Sequence, residues 1–183
     1  KIQDEVGNMS SLINDILMLS RLDSDDLIVE KVPIKMKAMM DDLKEDYEGL
    51  LLKYSVELIT DVEPITYIGN NSQIETLISN LVSNAIKYNK ENGKVFVRIY
   101  SENENMIIEV KDTGIGIPLA DQGRVFERFY RVDKGRSRIK GGTGLGLAIV
   151  KHIVSYNKGT LQLESHLGEG TCITVSLPNQ EAH

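Results

Sequence analysis

Two stretches of alternating sequence, 94–101 and 106–111, are separated only by the polar turn Glu102-Asn103-Glu104-Asn105. A second such pair, 160–165 and 171–177, surrounds Leu167-Gly168-Glu169-Gly170. Period-two alternation predicts half-buried strands, and strands joined by so short a polar segment read as hairpins. A sheet made of them has one apolar face that needs a cover. Helix 72–88 supplies one, because Ile74, Leu77, Ile78, Leu81, Val82 and Ala85 form a continuous stripe at 3.6-residue periodicity, and a helix over about 144–156 supplies another. A further helix is predicted over about 34–53 and a strand over 55–62. Helices and strand pairs follow one another without regular βαβ alternation. The expected class is therefore α+β, a mixed and mostly antiparallel sheet covered by helices on one face, the other face being solvated.

Ahead of this domain, residues 3–22 place Val6, Met9, Ile13 and Ile16 at the 3/4 spacing of a bundle or coiled-coil helix, with Leu12 and Leu19 flanking. One helix cannot bury such a seam alone. Asp23-Ser24-Asp25-Asp26 ends the pattern, so the expected organisation is a bundle helix over 1–24, a linker over 25–36, a domain over 37–180 and a tail over 181–183. The chain opens inside a helical pattern without an initiator Met, which reads as a piece of a longer protein. Cys172, the single cysteine, excludes an intrachain disulfide and a multi-thiolate metal site. No apolar run approaches the roughly 18 residues of a membrane span.

Three constellations carry candidate chemistry. On the helix 72–88, Asn80, Asn84 and Lys87 share one ridge at the edge of the apolar stripe. Amide oxygens suit a hard Mg²⁺ that keeps waters and phosphate oxygens, and the ammonium suits those phosphates; the same residues also describe an ordinary solvated helix face. Next comes Asp112-Thr113-Gly114-Ile115-Gly116-Ile117-Pro118 after a strand. An ionised Asp there accepts a hydrogen bond, for instance from an exocyclic amine, and Gly114 and Gly116 would admit a flat ring close to the backbone; the alternative is a tight Asp-type turn. The third is Gly141-Gly142-Thr143-Gly144-Leu145-Gly146 at the start of a helix, where free N–H groups attract an anion. It follows a basic, non-strand sequence, so the dinucleotide-fold reading fails, and no P-loop pattern occurs in the chain.

Charge is uneven. The whole chain of 183 residues carries −6, yet Arg124–Lys140 holds seven basic residues against two acids, leaving the remainder at −11. A net negative chain argues against coating nucleic acid, and the basic segment, lying between two glycine-rich stretches, is expected to act as a lid over a polyphosphate. Its interleaved aromatics, in Phe126-Glu127-Arg128-Phe129-Tyr130-Arg131, leave single-stranded nucleic acid as the competing reading.

In their order, Asn80-Leu-Val-Ser-Asn84-Ala-Ile-Lys87-Tyr88, Asp112-Thr-Gly-Ile-Gly116, Phe126-Glu-Arg-Phe-Tyr130-Arg131 and Gly142-Thr-Gly-Leu-Gly146-Leu closely resemble the N, G1, F and G2 boxes of sensor histidine kinases. Leu12-Ile13-Asn14-Asp15-Ile16-Leu17-Met18-Leu19-Ser20-Arg21-Leu22 resembles the second helix of that family's dimerisation and phosphotransfer hairpin, and Gly168-Glu169-Gly170-Thr171 its closing hairpin. Within the family, Arg136-Ser-Arg-Ile-Lys-Gly-Gly-Thr-Gly most resembles kinases of the phosphate-starvation and cell-wall-sensing groups.

The resemblance implies the Bergerat ATP-binding sandwich shared with gyrase-type ATPases, with ATP and Mg²⁺ as cofactors. It implies Asn84 as the metal ligand with Asn80 assisting, and Lys87 on phosphate oxygens. Tyr88 would pack beside the adenine and Asp112 would accept from its amino group. Gly114 and Gly116 would shape the pocket, Gly142, Thr143, Gly144, Leu145 and Gly146 the phosphate loop, and Arg131 would meet the terminal phosphate, with Arg136 and Arg138 as weaker candidates. In the related ATPases the position of Asn80 holds a Glu that activates water; a neutral amide cannot be that base, which favours transfer over hydrolysis.

The family's acceptor His has no counterpart here, since His152, His166 and His183 all lie outside such a box. The acceptor is therefore expected on a helix preceding Lys1, the parent protein as a homodimer in a bacterial plasma membrane with this part on the cytoplasmic side, and the partner as a response regulator. Two alternatives share the fold, a Ser/Thr kinase of anti-sigma-factor type and a gyrase-like ATPase. A third is a non-catalytic nucleotide-sensing or nucleic-acid-binding module.

Overall fold

The computed structural model describes residues 2–24, 29–132 and 142–179. In chain order the elements are α1 (Ile2–Asp23), β1 (Val32–Lys35), α2 (Met36–Tyr54), β2 (Glu57–Val62), β3 (Thr66–Gly69), α3 (Asn71–Lys87), β4 (Lys94–Glu102) and β5 (Asn105–Asp112). They continue with a short α4 (Leu119–Gln122), then α5 (Gly146–Tyr156), β6 (Thr160–His166) and β7 (Gly170–Pro178). Five strands form one sheet in the order β2-β4-β5-β7-β6, parallel between β2 and β4 and antiparallel elsewhere. This is the α+β arrangement expected from the alternating strand pairs.

The alternation explains the layering. Val95, Val97 and Ile99 of β4, Met106, Ile108 and Val110 of β5, and Ile173, Val175 and Leu177 of β7 are buried on one face. Against them lie the stripe of α3, with Ile74, Leu77, Ile78, Leu81 and Val82, and Ile149, Val150 and Ile153 of α5. Each such side chain contributes roughly 1.5–3 kcal/mol on burial. The opposite face carries cross-strand polar pairs instead, with Glu57 3.5 Å from Lys94 and Asp61 3.5 Å from Arg98, all substantially exposed. The β4–β5 hairpin closes through Asn103 and Glu104, both at positive φ (48° and 63°), as a two-residue turn matched to strand twist requires.

Two local differences from the sequence reading have a common cause. The helix expected from residue 34 begins at Met36, and part of the stretch read as linker is strand: Val32–Lys35 pairs antiparallel with β3, which sequence periodicity did not reveal. Four residues are too few to show an alternation, and Pro33 disguises a strand that pairs on one side only. Ile34 and Met36 are buried in the core. The start of α3 is held by Asn70, whose Oδ1 accepts from the Gln73 N–H at 3.0 Å.

Helix α1 lies against α5 and the core through Leu19, with Leu12, Met18 and Leu22 partly buried beside it. The seam residues Val6, Met9, Ile13 and Ile16 face away and are exposed. The flanking leucines therefore make the contact within this chain, and the seam itself is left bare.

Candidate nucleotide site

A cavity of about 740 Å³ opens beside α3. Asn80, Asn84 and Lys87 line one wall, so the ridge predicted from helical periodicity does face a common space. Burial pushes the Lys87 ammonium below its usual pKa, nearby Lys53 adds to this, and Asp15 acts in the opposite sense.

Asp112, at the end of β5, forms the floor. Its Oδ1 accepts from the Gly114 N–H at 2.8 Å and the Thr171 N–H at 3.2 Å. One oxygen takes both bonds, which leaves Oδ2 for the cavity. Burial raises this carboxyl to about 6 despite the two N–H donors, which favour its ionised form. Tyr88, the residue after α3, also lines the space; its carbonyl accepts from the Ile115 N–H at 3.1 Å and ties the Asp112 loop to the helix end.

The glycines of that loop are also required by the chain's own packing. A Cβ on Gly114 would lie 2.4 Å from the Tyr88 carbonyl oxygen, and one on Gly116, at φ +69°, would lie 2.1 Å from the His166 carbonyl oxygen. What approaches them closely is the chain's own backbone, and Gly114 does not reach the cavity surface whereas Gly116 does.

Opposite lies the loop leading into α5. Gly142, Thr143, Gly144 and Gly146 border the cavity, while the Leu145 side chain turns away into the core, fully buried. Leu145 belongs to this loop through its backbone, whose N–H donates to Thr143 Oγ1 at 3.2 Å. Among the described residues no side chain caps the start of α5, and a helix start of this kind presents backbone N–H groups that suit an anion. Gly144, at φ +77°, is pressed against Phe129, whose N–H donates to the Gly144 carbonyl at 2.9 Å. Gly141 lies outside the described residues.

The basic segment divides into separate roles. Arg124 pairs with Glu127 at 3.1 Å and stacks 4.4 Å from the Tyr130 ring centroid. Arg128 turns to α1, reaching Asp23 at 2.8 Å, and donates to His152 Nε2 at 3.1 Å. Arg131 alone among these three arginines lines the cavity, with its guanidinium and the Tyr88 hydroxyl both near Gly142. Of the described basic residues in the segment expected to cover a polyphosphate, Arg131 reaches the cavity. Lys134, Arg136, Arg138 and Lys140 lie outside them, as does His183.

Sequence reasoning missed several cavity residues. Thr171 and Ile173 arrive from β7 and Leu167 from the β6–β7 turn, because the antiparallel pairing of β5 with β7 places that hairpin beside Asp112. Ser11 and Asp15 come from α1, more than sixty residues before the first motif, and no local pattern marks them. His166 remains in the hairpin and outside the cavity lining; His152 joins α5 to Arg128 and Asp23.

The family model for histidine kinase-, DNA gyrase B-, and HSP90-like ATPases matches residues 69–181. The sensor histidine kinase RppB of Synechocystis sp. is 41% identical over 97% of this chain and 39% of its own length. The phosphate regulon sensor protein PhoR of Pseudomonas aeruginosa is 34% identical over 95% of this chain and 40% of its own. The chain thus spans about two fifths of these relatives. Among solved structures, full-length ShkA in complex with AMPPNP superposes with a TM-score of 0.84 at 25% identity, covering 97% of this chain and 37% of that one. The α3 ridge, Asp112 and the glycine loop before α5 all lie within the matched span, and the chain belongs to the family of histidine kinase-, DNA gyrase B- and HSP90-like ATPases.

Proposed function

We propose that this chain is the ATP-binding catalytic part of a sensor histidine kinase. It would bind ATP with Mg²⁺ and donate the terminal phosphoryl group to a His on a helix outside this sequence, for relay to a response regulator. The observation that carries the reading is the meeting, in one cavity, of the Asn80–Asn84–Lys87 ridge, Asp112, Arg131 and the loop 142–146. The naming of the relatives as sensor kinases and the AMPPNP bound by ShkA support it.

Asp112 Oδ2 accepts from the adenine amino group, and Tyr88 borders the base. The N–H groups at the start of α5 and the Thr143 loop receive phosphate oxygens, joined by Lys87. The residues present fit Mg²⁺ held chiefly through the nucleotide: two neutral amides, Asn84 and Asn80, face the cavity, and no cluster of three His, Cys, Asp or Glu exists among the described residues. Bound there, Mg²⁺ would neutralise charge on the phosphates. Arg131 stabilises the terminal phosphoryl as its P–O bond to ADP breaks and a P–N bond to the acceptor imidazole forms. Asn80 offers no base for water, which favours transfer over hydrolysis.

The parent protein is proposed to be a dimer through the exposed α1 seam, and to be anchored in a bacterial plasma membrane with this part cytoplasmic. No described helix is itself long and apolar enough to cross a membrane. The test is to supply a separately made helix bearing the acceptor His together with radiolabelled ATP. Label on that helix, and none stably attached to this chain alone, is the expected result; label held by this chain alone would overturn the division of roles.

A further inference from the structure

Two residues of α1 reach the nucleotide cavity. Ser11 and Asp15, one turn apart, stand in its wall, and the Thr143 hydroxyl donates to Asp15 Oδ2 at 2.9 Å while accepting from the Leu145 N–H. Two turns further along α1, Asp23 is gripped by Arg128 at 2.8 Å. Arg128 also meets His152 Nε2 at 3.1 Å, and His152 Nδ1 stands 3.6 Å from Asp23 Oδ1. Eight residues span about 2.2 helical turns, so Asp15 and Asp23 stand roughly 80° apart around α1, with Leu19 midway between them in angle. One holds the loop before α5, the other holds the segment after α4 and α5 itself. Between them, Leu19 supplies the apolar contact.

Asp15 therefore sets a negative charge where the site otherwise gathers donors for an anion. Burial disfavours its ionised form, and the Thr143 hydroxyl and Lys87 partly offset this. A polyphosphate needs the same partners.

We propose that Asp15 is an internal anion on the phosphate side of the cavity, which an incoming polyphosphate must displace from Thr143, thereby loosening α1 from the nucleotide domain. The inference rests on the nucleotide-site reading above. It makes α1 a sensor of site occupancy, since nucleotide and α1 compete for one loop, and by reciprocity whatever pulls α1 away raises polyphosphate affinity by the same factor.

The test uses the full 183-residue chain. ATP and adenosine are titrated calorimetrically, with and without Mg²⁺, into the wild type and Asp15→Asn. Asn retains an acceptor for Thr143, and thermal melting checks that the variant folds. A coupling of ordinary size predicts ATP binding about tenfold tighter in the variant, with adenosine unchanged. Amide exchange within α1 should quicken when ATP is added to the wild type and not when adenosine is added. ATP binding no tighter in the variant overturns the proposal, and binding that weakens only with Mg²⁺ does so by making Asp15 a metal ligand. If neither protein binds ATP, the nucleotide-site reading itself fails and the proposal with it, whereas ATP binding that is indifferent to Asp15→Asn removes the proposal alone.

Discussion

Replacing Asp112 by Asn separates stability from recognition at the floor of the site. Asp112 is pushed from 3.8 to about 6, chiefly by burial, so between those values the folded chain holds a proton that the unfolded chain has released. Stability is then greatest below pH 4 as far as this group is concerned, declines as pH rises to about 6, and is level above. Two pKa units correspond to about 3 kcal/mol, and residual solvent contact brings the expected effect to about 2–3 kcal/mol. Asn does not titrate, and its Oδ1 can still accept from Gly114 and Thr171. Urea unfolding at a series of pH values should therefore show the variant gaining on the wild type by about 2–3 kcal/mol between pH 4 and pH 7. The gain comes with a loss of function. With Oδ1 held by two N–H donors, the new amide NH₂ would take the place of Oδ2 and, in the proposed complex, confront the adenine amino group, donor against donor. An unmade buried hydrogen bond costs about 1–3 kcal/mol, so ATP affinity should fall about 10- to 100-fold at pH 7.5. Wild-type affinity should also weaken as pH drops below about 6, where this carboxyl protonates, because an amine bound as proposed favours the ionised carboxylate. A stability difference that does not widen with pH, or unchanged ATP affinity in the variant, would refute the reasoning.

Further tests address other parts of the site. Asn84→Ala should abolish the Mg²⁺-dependent part of nucleotide affinity while the circular dichroism spectrum and melting temperature stay near those of the wild type; equal Mg²⁺ dependence in both proteins would remove the metal role. Arg131→Ala should leave ADP affinity largely intact and reduce transfer to an added acceptor helix by about 10²- to 10³-fold, the usual loss for one charge-stabilising donor. Gly116→Ala should destabilise the domain by at least about 1–3 kcal/mol in urea unfolding, since a left-handed φ and a 2.1 Å approach to the His166 carbonyl must both be relieved.

Much of the architecture is legible in the sequence because it is periodic. The one-sided stripe of α3 and the alternation of β4, β5 and β7 each require a partner layer, and together they specify a sheet covered on one face. The ridge of Asn80, Asn84 and Lys87 is equally local, since three residues of one helix share a side whatever the rest of the chain does. Hairpin turns follow the same logic.

What no local pattern contains is the meeting of distant segments. The parallel pairing of β2 with β4 joins strands separated by an entire helix, and the β1–β3 ribbon is too short to show a period. Chemistry read from residue type was redirected for the same reason. For Gly114 and Gly116 the fold adds a second demand, since the Tyr88 and His166 carbonyls are brought beside them. The arginines of residues 124–131 look like one patch until Glu127, Asp23 and the cavity each claim one. Asp15 is a polar residue on a bundle helix in the sequence and a wall of the nucleotide cavity in the fold, bonded to a threonine 128 positions away. Sequence by itself therefore determined which faces are apolar and which residue types the site contains. Tertiary structure alone decided which of those residues face one another, because hydrogen bonds and charges act over a few ångströms of space however many residues separate them along the chain.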